Sequence, residues 1–93
     1  MYLFVEVLFY SGQRVHLPAS GYRPDAVFAG RDDYWGITFP DLSGIEFDAP
    51  TLTIVRFTFQ ECHYGEVKPG QSFAIMEGPH QVGEGSVISI EYE

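Results

Sequence analysis

Thr53-Ile54-Val55-Arg56-Phe57-Thr58-Phe59-Gln60 alternates between two kinds of side chain. Thr53, Val55, Phe57 and Phe59 fall on one side, and Ile54, Arg56, Thr58 and Gln60 on the other. Successive residues of an extended chain point to opposite faces, so the stretch predicts a β-strand that turns Val55, Phe57 and Phe59 toward a core. The segments around it have the same character. Downstream, Lys68-Pro69-Gly70-Gln71 is turn chemistry ahead of the extended piece Ser72-Phe73-Ala74-Ile75-Met76, and Gly78-Pro79-His80 predicts another reversal. The last run, to Tyr92, sets Ile88, Ile90 and Tyr92 against Val87, Ser89 and Glu91, and Ile88 is expected inside with Phe57, Phe59 and Phe73.

Upstream, residues 2–10 place Leu3, Val5, Val7 and Phe9 on one face, the period of a first strand. Ser11-Gly12-Gln13 reads as a turn, and Leu17-Pro18-Ala19-Ser20-Gly21 as an irregular connection. Ala26–Ala29 and Trp35–Phe39 predict two more strands, the second ended by Pro40, which has no N–H to give to a ladder. Residues 45–47 suit a short edge piece. No stretch has the period of an amphipathic helix. Six or seven short strands, regularly spaced, predict an all-β fold, and closing them into a six-stranded Greek-key barrel removes the edges that invite aggregation.

Composition agrees with a single domain over residues 1–93. The chain is 45% hydrophobic and 16% aromatic, enough for a core and unlike the sparse composition of disordered segments. Thirteen acidic residues against five Lys and Arg give a net charge of −8, which repels phosphate backbones and anionic membranes. Cys62 is the only cysteine, so no internal disulfide framework exists, and a reducing, cytoplasmic setting is expected. The N-terminal run lacks the basic start and small-residue cleavage site of a secretory signal.

Residues of catalytic type are present but lack catalytic spacing. Cys62 and His63 are neighbours, and adjacent side chains of a strand diverge rather than form a nucleophile and base pair. His16, His63 and His80 are scattered without a zinc-binding spacing. Asp32-Asp33 beside Arg31 reads as a solvated loop, and Tyr34 and Trp35 flank it as either core rings or a partner-binding rim. No G-x-x-x-x-G-K-[ST] segment is present. The expectation is a protein that is not an enzyme and has neither cofactor nor metal.

A set of glycines carries a family likeness. Gly21-Tyr22-Arg23-Pro24 precedes an extended piece, followed much later by Gly70-x-x-Phe73-Ala74-Ile75-x-Glu77-Gly78 and Val82-Gly83-x-Gly85-x-Val87. In order and spacing, from about Phe4 to Ile90, these resemble the C-terminal, third β-barrel domain of elongation factor Tu and related translational GTPases. The resemblance implies a closed barrel that binds other macromolecules: in the family this domain contacts the GTPase domain, the exchange factor and aminoacyl-tRNA. With Met1 just ahead of the barrel, it implies a free-standing copy without the GTPase domain. Three positions depart from the family. Asp25 stands where Gln is common, Met76 where Arg is usual, and Glu84 where a small residue lies between the late glycines. Each lowers local positive charge, which disfavours phosphate contacts.

Roles follow for the motif residues. Gly83 and Gly85 face one side of a strand and are expected to let the sheet bend closed, while Gly78 before Pro79 brings Phe73 and Ile75 beside Val87 and Ile88. Gly70 supplies a turn, Pro24 holds Arg23 extended, and Tyr22 covers a barrel end while Arg23 pairs with a carboxylate or carbonyls. The leading expectation is a protein-interaction module that binds a basic protein through Arg23, Asp25, Arg31, Tyr34 and Trp35. The alternative is a translation-linked tRNA- or RNA-binding module.

Overall fold

In the computed structural model, which describes residues 1–59 and 67–92, the chain forms six strands: β1 (Tyr2–Phe9), β2 (Asp25–Phe28), β3 (Trp35–Thr38), β4 (Thr51–Phe57), β5 (Ser72–Glu77) and β6 (His80–Glu91). They close in the order β1-β4-β3-β2-β5-β6, every pairing antiparallel. β2, β3 and β4 are consecutive neighbours while β1 lies beside β4, which is the Greek-key arrangement. The crossover between β3 and β4 runs over one barrel end. It buries Leu42 and Ile45 and touches β1 through a parallel bridge between Phe9 and Phe47. Residues 45–47 form no strand beyond this single bridge.

The alternation of β1 has the expected outcome: Leu3, Val5, Val7 and Phe9 are all buried. Full burial of such a side chain contributes about 1.5–3 kcal/mol. Aromatic rings fill both ends of the barrel. Phe28 lies 5.4 Å from Trp35 and 5.2 Å from Phe73, between ring centroids, at the end of β2 toward the β2–β3 loop. At the opposite end Tyr22 stacks on Phe39 at 5.9 Å, and Phe9 meets both rings edge-on at 6.0 Å.

Three expectations are corrected. Phe59 is 65% exposed: β4 ends at Phe57, and its pairing with β3 reaches only one residue further, to the Thr58 N–H that donates to the Gly36 carbonyl at 2.9 Å. Only Val55 and Phe57 of the alternating set are buried. Ile88 is 44% exposed. Phe4 pairs with Ser89 and the next residue, Val5, with Val87, so Ile88 is the extra residue of a bulge. The bulge shifts the alternation by one, keeping Val87 buried and Ile90 packed against the core on either side of it. The hairpin that pairs Glu77 with His80, with a one-residue register shift at Ile75/Met76, sets Phe73 opposite Gly85 and Ile75 opposite Gly83, not beside Val87 and Ile88.

The late glycines close the barrel by proximity. A Cβ on Gly83 would stand 2.6 Å from the Leu8 carbonyl oxygen of β1, and one on Gly85 2.4 Å from the Phe73 ring. Gly70 and Gly78 sit in turns with φ of 87° and 58°, the left-handed region that glycine enters without steric cost. Among the described residues no helix is long and apolar enough to cross a membrane.

Candidate partner-binding site

The residues expected to meet a partner all belong to β2, β3 and their flanks. Asp25 pairs with Gly36 and Ala26 with Trp35. Pro24, buried, gives its carbonyl to the Ile37 N–H at 3.0 Å, which fixes the start of β2 and presents Arg23 to solvent. Tyr22 and Phe39 bridge two residues further out. Arg23 and Asp25 thus lie at one end of the strand pair, and Arg31 and Tyr34 beyond the other. The five extended steps from Arg23 to Phe28 separate the two groups by about 17 Å. The structure does not gather the five residues into one cluster.

The β2–β3 loop is organised by its own charges. The Arg31 N–H closes the turn onto the Phe28 carbonyl at 3.0 Å. Its guanidinium forks onto Asp33, Nε to Oδ1 at 3.0 Å and Nη2 to Oδ2 at 3.1 Å, and lies 4.7 Å above the Trp35 ring. The Trp35 indole N–H also donates to Asp33 Oδ2, at 2.8 Å. These donors, Arg31 foremost, hold the Asp33 carboxyl down at about 2 despite some opposing desolvation. Trp35 is only 4% exposed, so its ring is a core ring that anchors the loop, while Tyr34, 47% exposed, is the aromatic surface of the loop.

The opposite end of β2 holds a constellation that the sequence reading missed. Glu77, at the end of β5, accepts hydrogen bonds from the Tyr22 hydroxyl and from Arg14 Nη1, the latter at 2.5 Å. The Arg14 guanidinium also lies 5.0 Å from the centre of the Tyr22 ring, and its Nε donates to the His16 carbonyl at 3.0 Å. Tyr22 covers the barrel end as expected, but the arginine that meets a carboxylate is Arg14, not Arg23. Arg23 makes no hydrogen bond or ion pair among the described residues. Burial, then the bond to Glu77 and its charge, push the Tyr22 hydroxyl well above its ordinary range. Arg14 and Glu77 are 63 residues apart in a loop and a strand end, and no local pattern marks them as partners.

The remaining candidates are dispersed. His16 and His80 are exposed, and Cys62 and His63 lie outside the described residues. Among the described residues no three His, Cys, Asp or Glu side chains come together as metal ligands would. Three surface grooves are shallow and open, unlike sites that enclose most of a small ligand. The exposed members of the set are Arg23 at one end of the β2–β3 pair and Arg31 and Tyr34 beyond the other, on an acidic barrel. No known protein-family profile matches the chain and no curated protein matches it, so the closed antiparallel Greek-key barrel is what the structure establishes about its kind.

Proposed function

We propose that the chain is a non-catalytic protein-interaction module of the kind represented by the third domain of elongation factor Tu, binding a basic protein. The observation that carries this reading is the charge distribution. Thirteen acidic residues face five cationic ones. Two of the five, Arg14 and Arg31, are tied to carboxylates of the chain itself. A surface of this sign steers cationic partners and slows anionic ones. The glycine motifs and the closed six-stranded topology support the link to the elongation factor barrel. The exposure of Arg23, Arg31 and Tyr34 at the two ends of the β2–β3 pair supports them, with Asp25, as contact points, and Trp35 holds the loop in place. A cytoplasmic setting goes with this reading, since a lone cysteine suits a reducing compartment.

The test is retention of a partner from the source cell on the immobilised protein, followed by reconstitution with the purified partner. Arg23→Ala and Tyr34→Ala are expected to weaken the reconstituted complex severalfold each. A cell extract that yields no stoichiometric partner overturns the reading. Transfer RNA serves as the counter-test: an electrophoretic shift of aminoacyl-tRNA at moderate salt and micromolar protein would turn the assignment toward RNA.

A further inference from the structure

The barrel carries a second feature on the side facing away from β2. In the ring of six strands β1 stands opposite β2, flanked by β4 and β6. The outward side of this trio follows from the register. Phe4 of β1 pairs with Ile54 of β4 and with Ser89 of β6, next to the bulged Ile88, and Glu6 pairs with Leu52 and with Ser86. Phe4 and Ile54 are half-buried, while Leu52 is 57% and Ile88 44% exposed. Four large apolar side chains on adjacent strands thus form one continuous outer patch. Single exposed apolar residues are ordinary, but a contiguous patch marks an interaction surface.

The border of the patch is cationic at Arg56, two residues beyond Ile54 on β4 and 5.5 Å from the centre of the Tyr2 ring, and acidic on the β1–β6 side, where the kind of partner is set. Below Phe4 a shallow groove is lined by Leu8 and Pro50, with Glu6 and Glu84 among its walls. Leu8 pairs with Glu84 and Glu6 with Ser86, so Glu6 and Glu84 are diagonal neighbours on one antiparallel pair, their Cβ atoms roughly 7 Å apart. Both are exposed, and Glu6 has no ion pair among the described residues. Neighbouring like charges over an apolar floor fit a Lys or Arg side chain, whose stem lies on the apolar surface and whose head meets the carboxylates. A second copy of this chain fits poorly, because at net charge −8 it would bring acid against acid.

We propose that the outer face of β4, β1 and β6 docks a basic amphipathic segment of a partner protein, its apolar side on Phe4, Leu52, Ile54 and Ile88 and its cations on Glu6 and Glu84. The proposal rests on the binding-module reading but not on the β2–β3 residues. The probe is a synthetic helical peptide with leucines along one side and lysines along both flanks, compared with a twin in which every lysine is glutamate. Titration into the isotope-labelled protein, followed by amide NMR, is expected to move Phe4, Glu6, Leu52, Ile54, Ser86 and Ile88 with the lysine peptide alone. Leu52→Asp combined with Ile88→Ser is expected to raise Kd at least tenfold while the remaining amide spectrum keeps its dispersion. Glu6→Lys, a surface change that leaves the apolar patch intact, is expected to raise it severalfold. Equal binding of the glutamate peptide, no shift with either peptide, or self-association abolished by Leu52→Asp overturns the proposal. Shifts that gather on Arg23 and Tyr34 instead also overturn it, while leaving the binding-module reading in force.

Discussion

The Phe73 ring lies directly over Gly85, so close that a Cβ on that glycine would stand 2.4 Å from the ring's Cζ atom. The two residues are register partners across β5 and β6, and the missing side chain of one is the space occupied by the other. Aromatic bulk in one strand and absence of bulk in the next let the barrel close tightly around a filled core.

Gly85→Ala is therefore expected to destabilise the fold by about 1–3 kcal/mol through overpacking, read from urea denaturation. Phe73→Leu in the same chain should restore part of that loss, since it removes the ring that the new methyl meets. Gly83→Ala should be as damaging but not rescued by Phe73→Leu, because its obstacle at 2.6 Å is the Leu8 backbone carbonyl. Equal rescue of both would show that the glycines act by flexibility rather than by proximity.

The two phenylalanines Phe28 and Phe59 should behave oppositely. Phe28, 2% exposed and packed on Trp35, Phe57 and Phe73, should cost about 3–5 kcal/mol when replaced by alanine. Phe59, 65% exposed, should cost less than about 1 kcal/mol. Trp35 fluorescence during chemical denaturation reports both, and a large loss at Phe59 would contradict the end of β4 at Phe57.

Alkaline stability should depend on Tyr22. Its hydroxyl titrates above the ordinary value of 10.0, first through burial and then through Glu77. Above pH ~10 the unfolded chain gives up this proton while the folded chain keeps it, so stability is full below that pH and declines above it. Tyr22→Phe should flatten this decline. At neutral pH the same change should cost only about 1 kcal/mol, since the Glu77 end of the bond is partly screened by solvent. Tyr10, raised by burial and by Glu84, should leave a smaller residual slope. Denaturation midpoints collected from pH 8 to 11 decide the matter.

Asp33 gives the converse case in acid. Its carboxyl lies at about 2 against an ordinary 3.8. The folded chain thus sheds this proton more readily than the unfolded one; the stabilisation is complete above pH ~4 and is lost as pH falls through about 2. Carboxyl NMR should locate the Asp33 midpoint there, and Arg31→Ala should move it up toward the ordinary range. A midpoint that ignores Arg31 would mean that the fork seen between the two side chains does not persist in solution.

Much of the barrel is legible in one dimension because strand periodicity is local. The alternation in β1 places Leu3, Val5, Val7 and Phe9 inside without reference to any other strand. The turns at Gly70 and Gly78 are equally local, since only the backbone of those residues needs a positive φ. The candidate site was less legible. Arg31, Asp33 and Trp35 are close in sequence, but their order alone shows a charged, solvated loop and not the fork of Arg31 onto Asp33 over the Trp35 ring. The pairing of Arg14 with Glu77 joins distant segments, and nothing in either neighbourhood announces it.

Amino-acid order alone determined an acidic all-β chain, its strands and most of its inward residues, because a period of two and the chemistry of turns act between neighbours. Tertiary structure alone decided where the alternation breaks. The bulge at Ile88 and the end of β4 at Phe57 depend on how β6 registers against β1 and on where β3 begins, and both turn expected core residues into surface. It also decided that Arg14 rather than Arg23 meets a carboxylate, and that Phe4, Ile54, Leu52 and Ile88 share one outer face. Contacts of that kind arise only when separate strands are brought side by side, and register, unlike periodicity, is a property of two strands at once.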